Sequence, residues 1–494
     1  MKRTELLLQK FFDENSLVAS NISSFNHFIE SGLQEVIDEN KELLPPILPT
    51  NIEDFKIHLD KIWVGKPEVI EADGSKREIL PMEARLRKLT YASPVMLSIS
   101  AHINGVQRES FTTQIASMPI MLKSKKCFLN SLSKDELVEK GEDPDDPGGY
   151  FIINGTEKVL ISVEDLMPNN VLVEKDSASD DYTGKIFSEH AAFKIPHTLI
   201  KKKDGIFYLS FTRVKEVPLV IILKALGLVN DEDIVKAISA DEQFDELLVN
   251  LYEFVSIKNE EDALDIISKK VNITQPKQIR IERTVELLDK YLLPHIGCTK
   301  EDRTAKAYNL CKMLKKFIKV STGQLPEDDK DHYKNKNLKL SGELLMDLFR
   351  ANLRILIGDM LYNFQRIVKR GKVPSIKVII REKLLTSRIY SSMATGSWVG
   401  GRKGIAQRLS RVNFLDMLSH LQRVVSPLST SQENFEAREL HPTHLGRLCP
   451  AETPEGTNIG LRKNLALLAQ ISQKENEREL ISKLADLGLK AVKA

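Results

Sequence analysis

The sequence predicts a mixed α/β protein of the α+β kind that is divided into several domains. Its 494 residues exceed what one ordinary hydrophobic core accommodates, so two to four domains are expected. Charged residues make up 28% of the chain and hydrophobic residues 42%, which is typical of a folded globular protein and not of a disordered one. Helix-like and β-rich stretches follow one another in blocks, and the character of the sequence changes again after about residue 169.

The N-terminal third combines a helical stretch with β-rich sequence. SFNHFIESGLQEVIDEN (residues 24–40) has helical patterning, whereas YASPVMLSISAHIN (residues 91–104) alternates and is rich in β-formers. In YFIINGTEKVLIS, two β-prone runs are joined by Asn154-Gly155, the favoured sequence of a type I′ hairpin turn. The preceding EDPDDPGG, from Glu142 to Gly149, is expected to be a solvated turn, although a metal site there is conceivable.

Charge is distributed unevenly, although the formal net charge is only +2. Residues 366–411 contain twelve bases against one acid, whereas residues 231–265 contain twelve acids against two lysines. The acidic block is expected to form short amphipathic helices with carboxylate-rich outer faces in a peripheral domain. Residues 341–371, in which apolar residues recur at helical spacing, are expected to form a long core helix with a basic C-terminal end.

Several classes of protein are excluded by the same observations. The start of the chain makes an unconvincing signal peptide, since Gln9 and Lys10 interrupt its short apolar run. The most apolar stretch, from Val217 to Val229, is shorter than a membrane span and contains Lys224. The four cysteines lie far apart without a CxxC pair, which argues against a disulfide framework and a zinc ribbon. A cytoplasmic protein with no membrane partner is therefore expected.

The glycine-rich stretch GSWVGGRKG, Gly396 to Gly404, has the spacing of a nucleotide-binding loop. However, Arg402 and Lys403 stand where such a loop needs a lysine followed by a serine or threonine. A flexible basic loop that touches nucleic-acid phosphates is therefore favoured.

The stretch HPTHLGRLCPAETPEGTNIGL, residues 441–461, is too rich in proline and glycine for a regular element, yet it is dense in polar side chains. A metal site formed by its two histidines and Cys449 is disfavoured because no fourth ligand has a recognised spacing. Arg447 has the geometry to bind phosphate, or to pair with Glu452 or Glu455. A loop whose polar groups satisfy one another remains an alternative to a binding segment.

A family resemblance emerges from this stretch and from others in the same order along the chain. ELHPTHLGRLCPAETPEGTNIGLRKNLALLAQI resembles the most recognisable segment of the second-largest subunit of multisubunit DNA-dependent RNA polymerases, the bacterial β, archaeal B and eukaryotic second-subunit family. Further stretches resemble archaeal and eukaryotic members: MEARLRKLTYASPVML, MPIMLKSKKCFL, DDPGGYFIINGTEKVLIS, EVPLVIILKALGL, DKDHYKNKNLKLSGELLMDLFR and SSMATGSWVGGRKGIAQRLSRVNFLDMLSHLQRVVSPL. The resemblance covers essentially the whole chain.

The resemblance implies an architecture. Residues 1–168 and 341–385 would form the protrusion, residues 169–340 an inserted lobe, and residues 386–471 the fork with two fork loops. Within the fork, GSWVGGRKG resembles the first loop and SPLSTSQENFEAR the second. Residues 472–494 would lead to a C-terminal half, so the chain is identified as the N-terminal half of a split archaeal B protein (B double-prime).

The resemblance also implies roles for particular residues. No catalytic residue is expected in this chain, because the family's metal-binding aspartates belong to the largest subunit. The residues expected to line the active centre are Arg447, Glu452, Glu455 and Asn458. The residues expected to bind nucleic acid are Arg402, Lys403, Arg423 and Arg438. Of these, Glu455 is assigned to hold moving catalytic elements of the partner subunit, and Arg423 and Arg438 to shape the fork floor.

The expected function is that of an RNA polymerase subunit, EC 2.7.7.6, which is not active alone. Its partners would be the C-terminal half of the second-largest subunit, the largest subunit, other polymerase subunits, template DNA, product RNA and ribonucleoside triphosphates. This chain would bind no cofactor and no metal, and the Mg²⁺ of the assembled enzyme would be held by the largest subunit. The alternative function is a non-catalytic nucleic-acid-binding scaffold, for which the basic stretch alone would account.

Overall fold

The structure is a computed structural model that describes residues 3–14, 16–48, 52–176, 181–191, 193–239, 244–371, 375–431, 433–472 and 477–489. The chain divides into two compact units. The first consists of Met1–Asp165 together with Leu338–Ala494, and the second is Leu166–Asn337, inserted within the first. The prediction of several domains is therefore confirmed, while the names and boundaries of protrusion, lobe and fork stay predictions.

The first part of the first unit begins with helices and continues with strands. Its helices are α1 (Arg3–Glu14), α2 (Ala19–His27), α3 (Leu33–Asp38), α4 (Pro81–Leu86) and α5 (Lys134–Glu139). Its strands are β1 (Glu42–Leu43), β2 (Phe55–Val64), β3 (Glu68–Ile70), β4 (Lys76–Glu78), β5 (Ala92–Ile103), β6 (Val106–Pro119), β7 (Phe151–Ile153), β8 (Thr156–Leu160) and β9 (Ser162–Leu166). Strands β1, β2, β5 and β6 form one antiparallel sheet in that order, and β3 pairs with β4.

Two local predictions for this region are confirmed. The helical stretch at residues 24–40 forms α2, a π-helical turn (Phe28–Gly32) and α3. The hairpin of β7 and β8 turns at Asn154 and Gly155, whose φ angles of 49° and 73° are those of a type I′ turn. Gly155 is also needed for space, because a Cβ there would lie 2.7 Å from the Cα of Lys88.

The inserted unit contains an antiparallel meander and a group of helices. Its strands are β10 (Val171–Lys175), β11 (Tyr182–His190), β12 (Phe193–Lys201), β13 (Phe207–Phe211) and β14 (Val214–Pro218), paired in sequence order. Its helices are α6 (Leu219–Ala225), α7 (Asp231–Ser239), α8 (Asp245–Glu253), α9 (Glu260–Lys270), α10 (Lys277–Tyr291) and α11 (Arg303–Ser321). Aliphatic and aromatic side chains from both kinds of element form one hydrophobic core within the unit.

The described part of the acidic block lies on α7, α8 and α9, so its prediction as short helices is confirmed there. Residues 240–243 of the block lie outside the described residues. The expected carboxylate-rich outer faces are found only in part. On α8, the exposed residues include Leu248 and Tyr252 besides the carboxylates. The mean composition of the block conceals this apolar stripe, since the acids lie beside it on the same helices.

The returning part of the chain completes the first unit. Its helices are α12 (Ser341–Val368), α13 (Ile376–Ile379), α14 (Glu382–Thr395), α15 (Phe414–Leu421), α16 (Phe435–Arg438) and α17 (Glu477–Asp486). Its strands are β15 (Lys336–Lys339), β16 (Ala406–Arg408), β17 (Arg423–Val425) and β18 (Arg462–Asn464). The predicted long helix is confirmed as α12, and its Phe364 ring packs 4.8 Å from the ring of Phe55 on β2. Part of the predicted tail, residues 473–476 and 490–494, lies outside the described residues.

Two small sheets bind the returning part to the first part. Strand β16 pairs with β8 in the order β16, β8, β7. Strand β17 lies between β9, to which it is parallel, and β18, to which it is antiparallel. Consequently the returning part shares a hydrophobic core with the N-terminal part. None of the helices in the described part of the chain has the length and apolar run needed to cross a membrane.

Candidate functional site

The segment 441–461 projects from a base held by β17 and β18. At this base, Leu448 and Leu465 form a β-bridge, the Cys449 amide donates to the Asn464 carbonyl at 2.9 Å, and the Ala466 amide donates to the Arg447 carbonyl at 2.9 Å. Because residues 447–449 and 464–466 are bonded to each other beside this sheet, the irregular stretch between them is presented as a loop on a rigid support.

The second half of this loop is closed by Thr453. Its hydroxyl donates to the Arg462 carbonyl at 3.0 Å and accepts from the Gly460 amide at 2.9 Å. Between these residues lies a short 3-10 turn, Gly456–Asn458. A glycine is required at position 460, since its φ is +70° and a Cβ would overlap the backbone of Arg438.

Arg438 donates hydrogen bonds to three backbone carbonyls, which belong to two separate segments of the chain. Its guanidinium donates to the Thr457 and Ile459 carbonyls at 2.8 and 3.0 Å and to the Thr430 carbonyl at 3.2 Å. The resemblance assigned this arginine to nucleic acid. The structure gives it a positioning contact, which couples the second predicted fork loop to the 457–460 turn.

Glu452 belongs to a polar cluster at the base of the loop. Its Oε1 accepts hydrogen bonds from the Ser419 hydroxyl and from the Asn464 amide nitrogen, the latter at 2.9 Å. Arg423 lies on β17 opposite Asn464 and is half-buried. Burial lowers the pKa of the Arg423 guanidinium, and the nearby Arg462 lowers it further while Glu452 opposes this. The two arginines therefore lie near two carboxylates, Asp416 and Glu452, which favour the charged form of Arg423.

Glu455, Asn458 and Arg447 are the more available members of the predicted set. Glu455 and Arg447 are exposed and Asn458 is half-buried. No hydrogen bond or ion pair joins the Glu455 carboxylate to another residue in the described part of the chain, whereas the Arg447 guanidinium donates to the Thr443 carbonyl at 3.0 Å. The pairing of Arg447 with Glu452 or Glu455 that the sequence allowed is not seen among the described residues.

Arg402 and Lys403 lie on a different loop. The Trp398 indole donates to the Leu344 carbonyl at 2.9 Å and anchors this loop on α12. Arg402 is paired with Asp165 at 2.7 Å and half-buried, whereas Lys403 is exposed. Strand β16, and not a helix N-terminus, follows the glycines, so the loop lacks the strand–loop–helix context of a phosphate-binding nucleotide loop.

No group of three or more His, Cys, Asp or Glu side chains suited to holding a metal ion occurs among the described residues. The two histidines of the loop instead take part in local packing, with ring centroids 6.0 Å apart. His441 accepts a hydrogen bond from the Thr443 amide at 3.2 Å.

The sequence model of the family described as RNA polymerase beta subunit matches residues 16–387, and that described as RNA polymerase Rpb2, domain 3, matches residues 407–471. The chain belongs to the RNA polymerase beta subunit family. The DNA-directed RNA polymerase subunit Rpo2N of Methanocaldococcus jannaschii is 44% identical over 98% of this chain and 98% of its own length.

Other relatives in this family are longer. The DNA-directed RNA polymerase subunit Rpo2 of Saccharolobus solfataricus is 45% identical over 98% of this chain, but that match covers 43% of the Saccharolobus protein. The chain thus spans 43% of the length of these longer relatives. The Rpo2N of Halobacterium salinarum is 39% identical over 98% of this chain and 96% of its own length.

The first unit of this RNA polymerase beta subunit family member also contains a network of ion pairs that the sequence did not predict. Arg411 donates to both oxygens of Glu157 at 2.8 and 2.9 Å, and to Asp146 at 3.0 Å. Arg85 donates to Glu157 at 2.9 Å, and both arginines reach the Tyr150 hydroxyl at 2.9 Å. The network fixes the connection between β16 and α15 on the β7–β8 hairpin.

The prediction that residues 142–149 form a solvated turn is wrong for two carboxylates of this stretch. Glu142 and Asp146 are buried, and Glu142 accepts from Arg85 at 2.7 Å. Burial raises the pKa of Glu142 despite this arginine. The composition of the turn correctly indicated irregular structure, but its buried partners lie far away in sequence, and no local pattern indicates them.

Proposed function

We propose that this chain is the N-terminal half of a split second-largest subunit of DNA-directed RNA polymerase and works in the cytoplasm. Its proposed partners are the C-terminal half of that second-largest subunit, the largest subunit and the other polymerase subunits. The observation that carries the proposal is the 44% identity to an Rpo2N along 98% of both chains. In this assembly the chain would contribute to the cleft that binds template DNA, product RNA and ribonucleoside triphosphates.

The proposed work of the chain is positioning. Glu455, Asn458 and Arg447 would line the active centre, which is supported by the exposure of Glu455 and Arg447 on a loop with a fixed base. Glu452 would act from within that base, because its carboxylate is already engaged by Ser419 and Asn464. The arrangement can orient substrate or partner side chains, and orientation by itself contributes substantially to catalysis.

For nucleic acid, Lys403 is the proposed direct phosphate contact, since it is exposed on a glycine-rich loop. Arg402, Arg423 and Arg438 already have protein partners or are partly buried. Their proposed contribution is to fix the two fork loops and to add positive potential beneath the nucleic acid.

The metal ions that nucleotidyl transfer requires do not fit the described residues of this chain, which offer no ligand cluster. We therefore propose that the Mg²⁺ ligands belong to the largest subunit. The proposed architecture retains residues 1–168 and 341–385 as protrusion, 169–340 as lobe and 386–471 as fork.

Copurification tests the proposal. A tagged chain expressed in its native host should bring down a large aspartate-bearing subunit and a separate C-terminal fragment of the second-largest subunit. The recovered complex should incorporate ribonucleotides on a DNA template. Recovery of the chain with nucleic acid but without those subunits would favour the scaffold function instead.

Glu455 provides the sharper test of the site. Glu455→Ala should slow elongation in the reconstituted polymerase by about tenfold or more, the scale expected when one hydrogen bond to a charged group is lost, and leave assembly intact. Glu439→Ala, at another exposed carboxylate of the same unit, is the matched control and should elongate normally. Loss of assembly in the Glu455 variant would show that the residue has a structural role.

A further inference from the structure

A shallow apolar groove of about 590 Å³ lies between α7 and α8 in the inserted unit. Its apolar lining includes Val235 from α7 and Leu248, Tyr252 and Val255 from α8 and the residues after it. None of these residues belongs to the site proposed above. The groove therefore calls for a separate explanation.

The apolar lining is unusual because it faces outward. Leu248, Tyr252 and Val255 recur at intervals of four and three residues, so they form one stripe on α8 and its extension. These residues are 54%, 83% and 48% exposed, respectively. The adjacent face of α8 supplies Leu247 and Leu251 to the core, and Leu251 forms the floor of the groove beside the exposed stripe. A helix at a solvated surface normally carries polar residues on its outer side, and contiguous exposed apolar residues mark interaction surfaces.

Acidic residues outnumber basic ones around this stripe. Glu232 lines the groove with its side chain 88% exposed and lies 3.8 Å from Lys236, which also lines the groove, whereas Asp231 pairs with the buried Lys224. Asp245 and Glu253, at the two ends of α8, are exposed. A second copy of this chain that docked groove to groove would bring the same excess of carboxylates and be repelled, whereas a basic partner would be attracted.

We propose that the α7–α8 groove is a docking site for a basic amphipathic helix of another protein. The apolar stripe of that helix would pack against Leu248, Tyr252 and Val255, as in other helix-in-groove complexes. Its flanking lysines or arginines would face Glu232 and the carboxylates at the ends of α8, and one of them can stack on the exposed Tyr252 ring. The groove would recruit a partner to the inserted unit, and it shares no residue with the proposed active-centre loop.

Peptide binding to the full-length chain, in the complex in which it is purified, tests this proposal. The probe is a fluorescein-labelled helix of about 20 residues with a leucine stripe flanked by lysines. Its acidic twin, with glutamate in place of each lysine, is the control peptide. Variants Leu248→Asp combined with Tyr252→Asp, and separately Glu232→Lys, change exposed positions and leave the core of the unit untouched. Ile279→Asp, at a residue of α10 that is 45% exposed and outside the groove, is the matched control.

The basic helix is expected to bind the unchanged chain and the Ile279 variant equally in fluorescence anisotropy. The double variant and the Glu232 variant should each weaken binding at least tenfold, and added salt should weaken it for the unchanged chain. Equal binding of the acidic twin, an equal loss in the Ile279 variant, or no binding at millimolar peptide would overturn the proposal. A concentration-dependent dimer that the double variant abolishes would also overturn it, by showing a second copy in the groove.

Discussion

Replacing Arg438 by lysine separates two roles that the sequence could not distinguish. If Arg438 serves nucleic acid only through its charge, lysine should substitute well. If its main role is the contact with the Thr457, Ile459 and Thr430 carbonyls, lysine should fail. A lysine ammonium is a single point donor on a flexible stem and cannot reach all three acceptors as the planar guanidinium does.

The size of the effect follows from those contacts. Each hydrogen bond contributes about 1 kcal/mol net, and loss of two of the three corresponds to about 2 kcal/mol in the stability of the loop. Since about 1.4 kcal/mol is a factor of ten in an equilibrium constant, the loop should open roughly thirtyfold more often. The amide of Gly460, which donates to Thr453 inside this loop, should report the opening.

Hydrogen–deuterium exchange of a peptide covering residues 453–461 measures the effect, because local opening governs exchange in such segments. Arg438→Lys should accelerate this exchange, whereas Arg447→Lys, which loses one bond to the Thr443 carbonyl, should change it far less. Unchanged exchange in the Arg438 variant would refute the positioning role. Unchanged DNA affinity in the same variant would then show that the charge of the lysine suffices.

Two further predictions concern stability. Lys463 and Glu164 form a buried ion pair at 3.1 Å, so Lys463→Met should cost about 3–5 kcal/mol in urea unfolding by removing the buried cation that faces the Glu164 carboxylate. Adding Glu164→Leu to the Lys463 variant should restore most of the lost stability. Equal instability of the single and double variants would contradict this explanation. In the inserted unit, burial lowers the pKa of His197 from 6.5 to about 4. Between these two pH values His197 binds a proton in the unfolded chain but stays neutral in the folded unit. The free energy of unfolding should therefore fall by up to about 3 kcal/mol as the pH drops from 6.5 to 4. A pH series of unfolding midpoints measures it, and His197→Asn should flatten the slope; an identical slope in the variant would exclude His197 as its source.

Local pattern was sufficient wherever neighbours in the sequence determine the structure. The Asn154-Gly155 turn, the long helix α12 and the acidic helices were predictable, because turn chemistry and periodicity act over a few residues. The same limit explains the error at residues 142–149. Asp146 meets Arg411 across 265 positions of sequence, and no composition rule reports such a contact.

The site shows the same division. The residues of the loop 441–461 were identifiable by their resemblance to a family, and their chemical types could be read directly. The sequence could not show which of these side chains are already bonded within the protein and which are exposed. Arg438 is engaged by backbone carbonyls, Glu452 by Ser419 and Asn464, and Glu455 faces outward. The apolar stripe on α8 was likewise hidden within an acidic block.

The sequence by itself determined the family, the local elements and the identity of the polar residues that the loop offers. Only the tertiary structure decided which of those groups are already satisfied and which remain exposed. The physical reason is that a side chain's availability depends on burial and on partners brought together by folding, and these are properties of the packed chain and not of its neighbours in sequence.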